Sequence, residues 1–253
     1  MSNNNLKTVE KICKILNIYT LEKPQWGVSE MSSASGLSKS VVYRILTSLK
    51  SEGFLYQDAR TNKYQLGNEF IKLGRIASNN MNLIDYADEE VANLHNKTNE
   101  TILIDIPEKN GFNSICIHKK ESNKKIIYTC GLGEKVPLYA GAIGKVILAN
   151  SSAEKINSVI KNGLKKHAAN TTINENKLKE ELEIIRKKGY SVTNNEWNTG
   201  GMAISAPIFN ELNKVIASIG ILGPEFRLRN KVDQYIESCL KASKTISRHY
   251  YTE

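Results

Sequence analysis

The chain has 253 residues, 40% of them hydrophobic and 24% charged, with a formal net charge of +9. That composition excludes a disordered polymer and allows two modest domains, each large enough to bury a core. Four cysteines without a CxxC pair argue against a disulfide scaffold, the start MSNNNLKTVE lacks the apolar core of a signal peptide, and no apolar run is long enough to span a bilayer, so the expected compartment is the cytoplasm.

The first 75 positions hold eleven basic and six acidic residues, so +5 of the net charge sits there and suits an anionic partner. Val9, Ile12, Cys13, Leu16 and Tyr19 recur at helical spacing, which predicts an amphipathic helix ending before Pro24. Val28 to Ser35 reads as a second short helix, with Gly36 supplying the turn after it.

The stretch SGLSKSVVYRILTSLKSEGF, Ser35 to Phe54, predicts a third helix. Ser38 is its expected N-cap, and Leu37 is placed to staple onto Val42. Val42, Ile45, Leu46 and Leu49 follow the i, i+3, i+4, i+7 rule and form its buried seam, and Gly53 ends it. FLYQ, the polar turn DARTNK and YQLG then predict a hairpin. Three helices and a basic-tipped hairpin describe a winged helix-turn-helix, in which the third helix enters the major groove and the wing reaches the backbone.

Lys39, Ser40, Tyr43, Arg44 and Thr47 lie opposite the seam and can donate to phosphates or base edges. Ser38, Val41 and the wing residues Arg60 and Lys63 complete the expected DNA contacts. A merely solvated helix face is the plain alternative; the capped helix, the turn before it and the wing occurring together favour the interface.

Asn68 to Asn80 is predicted as a helix connecting to a region of different pattern. LIDYADEEVANLHNKTNE reads as an amphipathic helix, and TILIDIPEKNG, FNSICIHKK and KKIIYTCG as successive antiparallel strands. After VPLYAGAIGKVILAN come two helical stretches, then strands in GYSVT, MAISAPIF and KVIASIGIL, and a final helix from about Asn230 to Tyr250. Strands in the middle with helices at both ends imply an α+β domain on an antiparallel sheet.

In AGAIG, small residues from Ala140 to Gly144 precede a helix through Lys145 and Val146, so free N–H groups there can form an anion site; a tight turn packed on the sheet is the plain alternative. By the period of two, Cys116 and His118 share one strand face, with Cys130 on the neighbouring strand. A metal or redox site needs about three converging ligands, so two buried thiols and a surface histidine are the plainer reading, and no metal or cofactor is expected. Glu196 and Trp197 sit in a polar loop that can line or lid a pocket, or simply be solvated.

VSEMSSASGLSKSVVYRILTSLKSEGFL with YQLG, then VPLYAGAIGKVILA, then KKGYSVTNNEWNTGGMAISAPIF leading to SIGILGP, together resemble the IclR family of bacterial transcriptional regulators over nearly the whole chain. The resemblance implies a winged helix-turn-helix over residues 1–67, a linker helix over 68–80 and a GAF-like effector-binding and oligomerisation domain over 81–253. It implies double-stranded operator DNA and a small-molecule effector, typically an organic acid, as partners, and a homodimer or homotetramer. It places the effector around Val136, Ala142, Ile143, Thr193, Ala203, Gly220 and Leu222. Two departures stand out: Val41 follows Ser40 where such proteins commonly have threonine, and Thr193, Gly220 and Leu222 match positions that hold an acidic residue and serines in well-known relatives. An enzyme is not expected, since no Ser/His/Asp set, P-loop or GxGxxG signature stands in its required context. The runner-up readings are a thiol- or metal-responsive regulator and a thiol enzyme built on Cys116 or Cys130.

Overall fold

The computed structural model describes residues 6–79, 82–109 and 111–250. The chain divides into two compact units, Met1–Asn80 and Met81–Glu253.

The first unit runs α1 (Lys7–Leu16), α2 (Val28–Ser35), α3 (Lys39–Ser51), β1 (Leu55–Gln57), β2 (Tyr64–Leu66) and α4 (Asn68–Asn79). Its core is the seam of α3, Val42, Ile45 and Leu46, closed by Ile15, Met31, Leu55 and Tyr64, with Leu37 and Leu49 packed at the margin. Each such side chain withdrawn from water contributes about 1.5 to 3 kcal/mol, so a small three-helix unit is stabilised by this one cluster. Gly36 takes φ +67°, the left-handed conformation that turns α2 into α3 with little steric cost. The hairpin pairs Leu55 with Leu66 and Gln57 with Tyr64, as expected. Trp26 and Tyr64 exchange backbone hydrogen bonds of 2.9 and 2.8 Å, which zips the segment before α2 to the wing.

The second unit begins with α5 (Asn82–Thr98) and continues β3 (Thr101–Pro107), β4 (Asn113–Lys120), β5 (Lys135–Pro137), α6 (Gly141–Ala149), α7 (Ala153–Lys161), α8 (Glu175–Lys188), β6 (Ser191–Asn194), β7 (Gly201–Phe209), β8 (Val215–Pro224), α9 (Glu225–Leu228) and α10 (Val232–Tyr250). A 3₁₀ turn over Arg229–Lys231 occupies the start expected for the last helix. The six strands form one antiparallel sheet in the order β5-β4-β3-β8-β7-β6. This is an α+β domain.

Alternation along the strands divides the side chains between two faces. Ile102, Ile104, Ile204, Ile219 and Ile221 meet α5 and α10 residues such as Val91, Cys239 and Ile246. Leu103, Cys116 and Leu222 point the other way, toward Ile143 of α6 and Val136.

Two expectations are corrected. KKIIYTCG, residues 124–131, is not a strand. The place beside Cys116 is filled instead by the next turn, since Gly133 N donates to Cys116 O at 2.7 Å and Cys116 N donates to Glu134 O at 3.2 Å. The segment 124–131 is therefore left off the sheet, with the Tyr128 hydroxyl donating to Thr199 O at 2.5 Å. Nor do Cys116 and His118 share a face. The β3–β4 ladder pairs Asp105 with Cys116 but Ile104 with His118, so Ile117 is an extra residue in a bulge. Cys116 then faces Leu103 and Cys130, while His118 Nε2 lies 3.1 Å from Asp88 Oδ1 on α5.

Candidate nucleic-acid interface and effector cavity

On α3, Ser38, Lys39, Ser40, Arg44 and Thr47 are exposed and Tyr43 is 56% exposed, opposite the buried seam. Ser38 holds the N-cap position with extended backbone, but its hydroxyl makes no capping bond and lies 3.2 Å from Ser40 Oγ. The first turn of α3 contains no acidic residue. The helix start thus keeps its positive end for an anion such as a phosphate. The Thr47 hydroxyl donates to Tyr43 O at 2.8 Å, which leaves its oxygen to accept.

Val41 does not join this face; it is half-buried against the core, because it neighbours Val42 on the rim of the seam. In the wing turn Asp58 Oδ1 accepts from Arg60 N and Thr61 N, both at 2.8 Å, and Arg60 is exposed. Lys63 is drawn inward instead, with Nζ 3.4 Å from Glu30 Oε1 of α2. On α4, Phe70 packs edge-on to Phe54 at 5.4 Å, while Ile71 (73%), Leu73 and Ile76 remain exposed.

In the second unit, a cavity of about 50 Å³ lies between the sheet and the start of α6. Leu103, Val136, Ala203 and Leu222 give it apolar walls, and Ala140, Gly141, Ala142 and Ile143 bring the α6 backbone to its edge. Asp105, Thr129, Cys130, Trp197 and Asn198 complete the lining, which contains no lysine, arginine or histidine.

Asp105 is 2% exposed. Its Oδ2 accepts from Ser114 Oγ at 2.7 Å, whereas Oδ1 has no hydrogen-bond partner among the described residues. Burial pushes its pKa up to about 6 despite the Ser114 hydrogen bond, and the Glu134 charge adds to the rise. The neighbouring Cys116 sulfur, followed by burial, pushes the Cys130 thiol well above its ordinary value. Little thiolate is left there for nucleophilic or redox chemistry.

Glu196 holds the rim. Its Oε2 accepts from Gly141 N at 3.1 Å, and its Oε1 accepts from Lys145 Nζ at 2.7 Å. Lys145 is 1% exposed and also donates to Glu181 Oε2 at 2.7 Å. Burial raises the Glu196 pKa, with Lys145 acting against the rise.

The C-terminal domain model of the bacterial transcriptional regulator IclR matches residues 76–248, and the IclR helix-turn-helix model matches residues 8–59. The chain belongs to the IclR family. It is a transcriptional regulator with a DNA-binding helix-turn-helix and a C-terminal effector domain. It is 32% identical over 250 residues to the HTH-type transcriptional regulator KipR of Bacillus subtilis (strain 168), covering 98% of each chain. It is 29% identical over 255 residues to the HTH-type transcriptional regulator KdgR of Escherichia coli (strain K12), covering 98% of this chain and 96% of that one. The crystal structure of the Thermotoga maritima IclR superposes with a TM-score of 0.76 at 30% identity, covering 97% of this chain and 99% of that one.

In this IclR-family chain the cavity collects Val136, Ala142, Ile143, Ala203 and Leu222 from the expected effector set. Thr193 and Gly220 are not in its lining. Thr193 is buried on β6 as the cross-strand partner of Ala203. Gly220 is covered: a Cβ there would meet Ile143 Cγ1 at 2.7 Å. The expected anion site on α6 is partly occupied, since Glu196 takes the first N–H of the helix. Sequence reasoning missed Leu103, Asp105, Thr129 and Asn198, which lie in segments read simply as strands or loops. A charged residue inside the apolar run TILIDIP was the available signal.

Among the described residues no helix is long and apolar enough to cross a membrane, and no group of three or more His, Cys, Asp or Glu is placed to hold a metal ion.

Proposed function

We propose that this regulator reads its operator with Ser38, Lys39, Ser40, Tyr43, Arg44 and Thr47 on α3, and steadies the docking through Arg60 of the wing. The observation that supports this reading most is the division of α3 into a buried seam and an exposed polar face without acidic residues in its first turn. In this reading residues 1–67 bind DNA, residues 68–80 pair subunits, and residues 81–253 bind the effector in the cavity beside α6. Pairing through α4 is supported by the exposed Ile71, Leu73 and Ile76 and joins two winged helices on one two-fold symmetric site.

The test is selection of an operator from random duplex DNA with the full chain, followed by binding measurements at several salt concentrations. An inverted repeat bound by a dimer is expected. A monomer that binds DNA without sequence preference would remove the reading.

A further inference from the structure

A second concavity lies at the other end of α6. Gly141 at the start of the helix borders the cavity already described, whereas Asn150, just past its last turn, borders a groove of about 370 Å³. Nine helical residues at about 1.5 Å each hold the two places roughly 14 Å apart. The groove sits at the end of β7, between α10, which covers one face of the sheet, and α8, which belongs to the layer on the other.

Pro207, Phe209 and Leu240 give the groove an apolar wall, and the polar groups set into that wall are already satisfied. The Ser243 hydroxyl donates to Pro207 O, and Ser247 Oγ donates to Ser243 O at 2.8 Å while accepting from Phe209 N at 3.1 Å. Asn150 Nδ2 donates to Val146 O at 2.8 Å. What remains unanswered is positive charge.

Arg186, Lys244 and Arg248 line the groove, and no aspartate or glutamate does. Lys244 and Arg248 are exposed, and neither has an ion-pair partner among the described residues. Arg186 is fixed by two neutral carbonyls, with Nε donating to Ala149 O at 2.5 Å and Nη2 to Ser151 O at 3.0 Å, so its charge is held at the groove with no carboxylate on it. The dipole of α8 accounts for a basic residue in its last turn. It does not account for cations from two helices gathered around one apolar wall, where they repel one another until an anion enters.

We infer that this groove is a second ligand site, which takes an organic anion with an apolar body. The anionic group rests among Arg186, Lys244 and Arg248 in charge-assisted hydrogen bonds, and the body covers Pro207, Phe209 and Leu240. The inference does not depend on what the first cavity binds.

The test titrates four probes into the full-length protein by calorimetry at millimolar concentration: hexanoate, 1-hexanol, hexylamine and acetate. Hexanoate is expected to bind at least about tenfold more tightly than each of the others, since only it has both the charge and the body. The double variant Lys244→Glu with Arg248→Gln changes two exposed side chains, so circular dichroism should be unaltered while hexanoate affinity falls by about tenfold or more. Hexanoate that also enters the first cavity shows as a second binding event, untouched by these substitutions.

Hexanol or hexylamine binding as tightly as hexanoate would overturn the anion preference, and acetate doing so would overturn the apolar wall. No hexanoate binding, or hexanoate binding with every event unchanged in the double variant, would overturn the site itself. Operator binding by the same preparations is a separate readout, and its loss in wild type strikes the regulator reading alone.

Discussion

Glu196 Oε2 accepts the Gly141 backbone N–H at 3.1 Å, so a loop residue 55 positions away closes the start of α6. The same carboxylate binds the buried Lys145, which ties the loop bearing Trp197 and Asn198 to the helix beneath it. Lys145→Met leaves Glu181 and Glu196 without their cation and is expected to cost about 3 to 5 kcal/mol. Urea unfolding checks the value. Adding Glu196→Gln should recover part of the loss, and a cost near zero would show that the ion group is not formed in solution.

Asp105 gives stability an unusual pH dependence. In the folded chain it holds its proton up to about pH 6, whereas its ordinary value is 3.8. Between those values the native state binds more protons than the unfolded state, so stability is lost as pH rises through that window. The shift of roughly two units corresponds to about 3 kcal/mol for this buried group. Asp105→Asn lacks this slope. Its stability relative to wild type should therefore increase by about 2 to 3 kcal/mol from about pH 4 to about pH 7. A constant difference across that range would show that Asp105 ionises as an exposed carboxyl does.

Arg44→Ala and Ser40→Ala should leave the fold intact and weaken specific DNA binding, by about 1 to 3 kcal/mol where a base contact is lost. Lys63→Ala should do less, because the Lys63 side chain is already paired with Glu30. Fluorescence anisotropy on the selected operator across a salt series ranks the three. A larger loss from Lys63→Ala than from Arg44→Ala would move the contact surface from α3 toward the wing.

Gly220→Ala places a methyl group 2.7 Å from Ile143 Cγ1. Overpacking of this kind costs about 1 to 3 kcal/mol, and Ile143→Ala should relieve it in a double-mutant cycle. Additive effects of the two changes would mean that Ile143 does not cover Gly220.

Ile71→Asp puts a charge on the exposed apolar side of α4 and is expected to abolish the proposed pairing of subunits while the circular dichroism spectrum is retained. Light scattering at micromolar concentration reads the mass directly. A wild-type mass above that of one chain, unchanged in the variant, would place the pairing surface off α4.

The DNA-binding unit was legible because its signals are local. Gly36, Ser38 and the four seam positions of α3 lie within fifteen residues and each constrains the next, so helix, turn and face follow from spacing alone. The cavity was legible only where small residues precede α6 or where family resemblance supplied positions. Asp105 and Ser114 become partners through strand register, and Lys145 meets Glu181 and Glu196 only after the chain has passed through two further helices. Nothing in local periodicity encodes such distant pairings. The failed strand at residues 124–131 has the same origin: Ile126 and Ile127 have strand propensity, but the sheet position beside β4 belongs to β5.

The bulge at Ile117 alters how this chain should be aligned with its relatives. The ladder passes from Cys116 to His118 against consecutive residues of β3, so Ile117 is surplus to the pairing. A related chain that lacks this residue would keep the same inward-facing set on a regular strand. A gap opposite Ile117 is therefore structurally silent, whereas shifting that gap by two columns would exchange the cavity-facing and helix-facing assignments in the two columns it crosses.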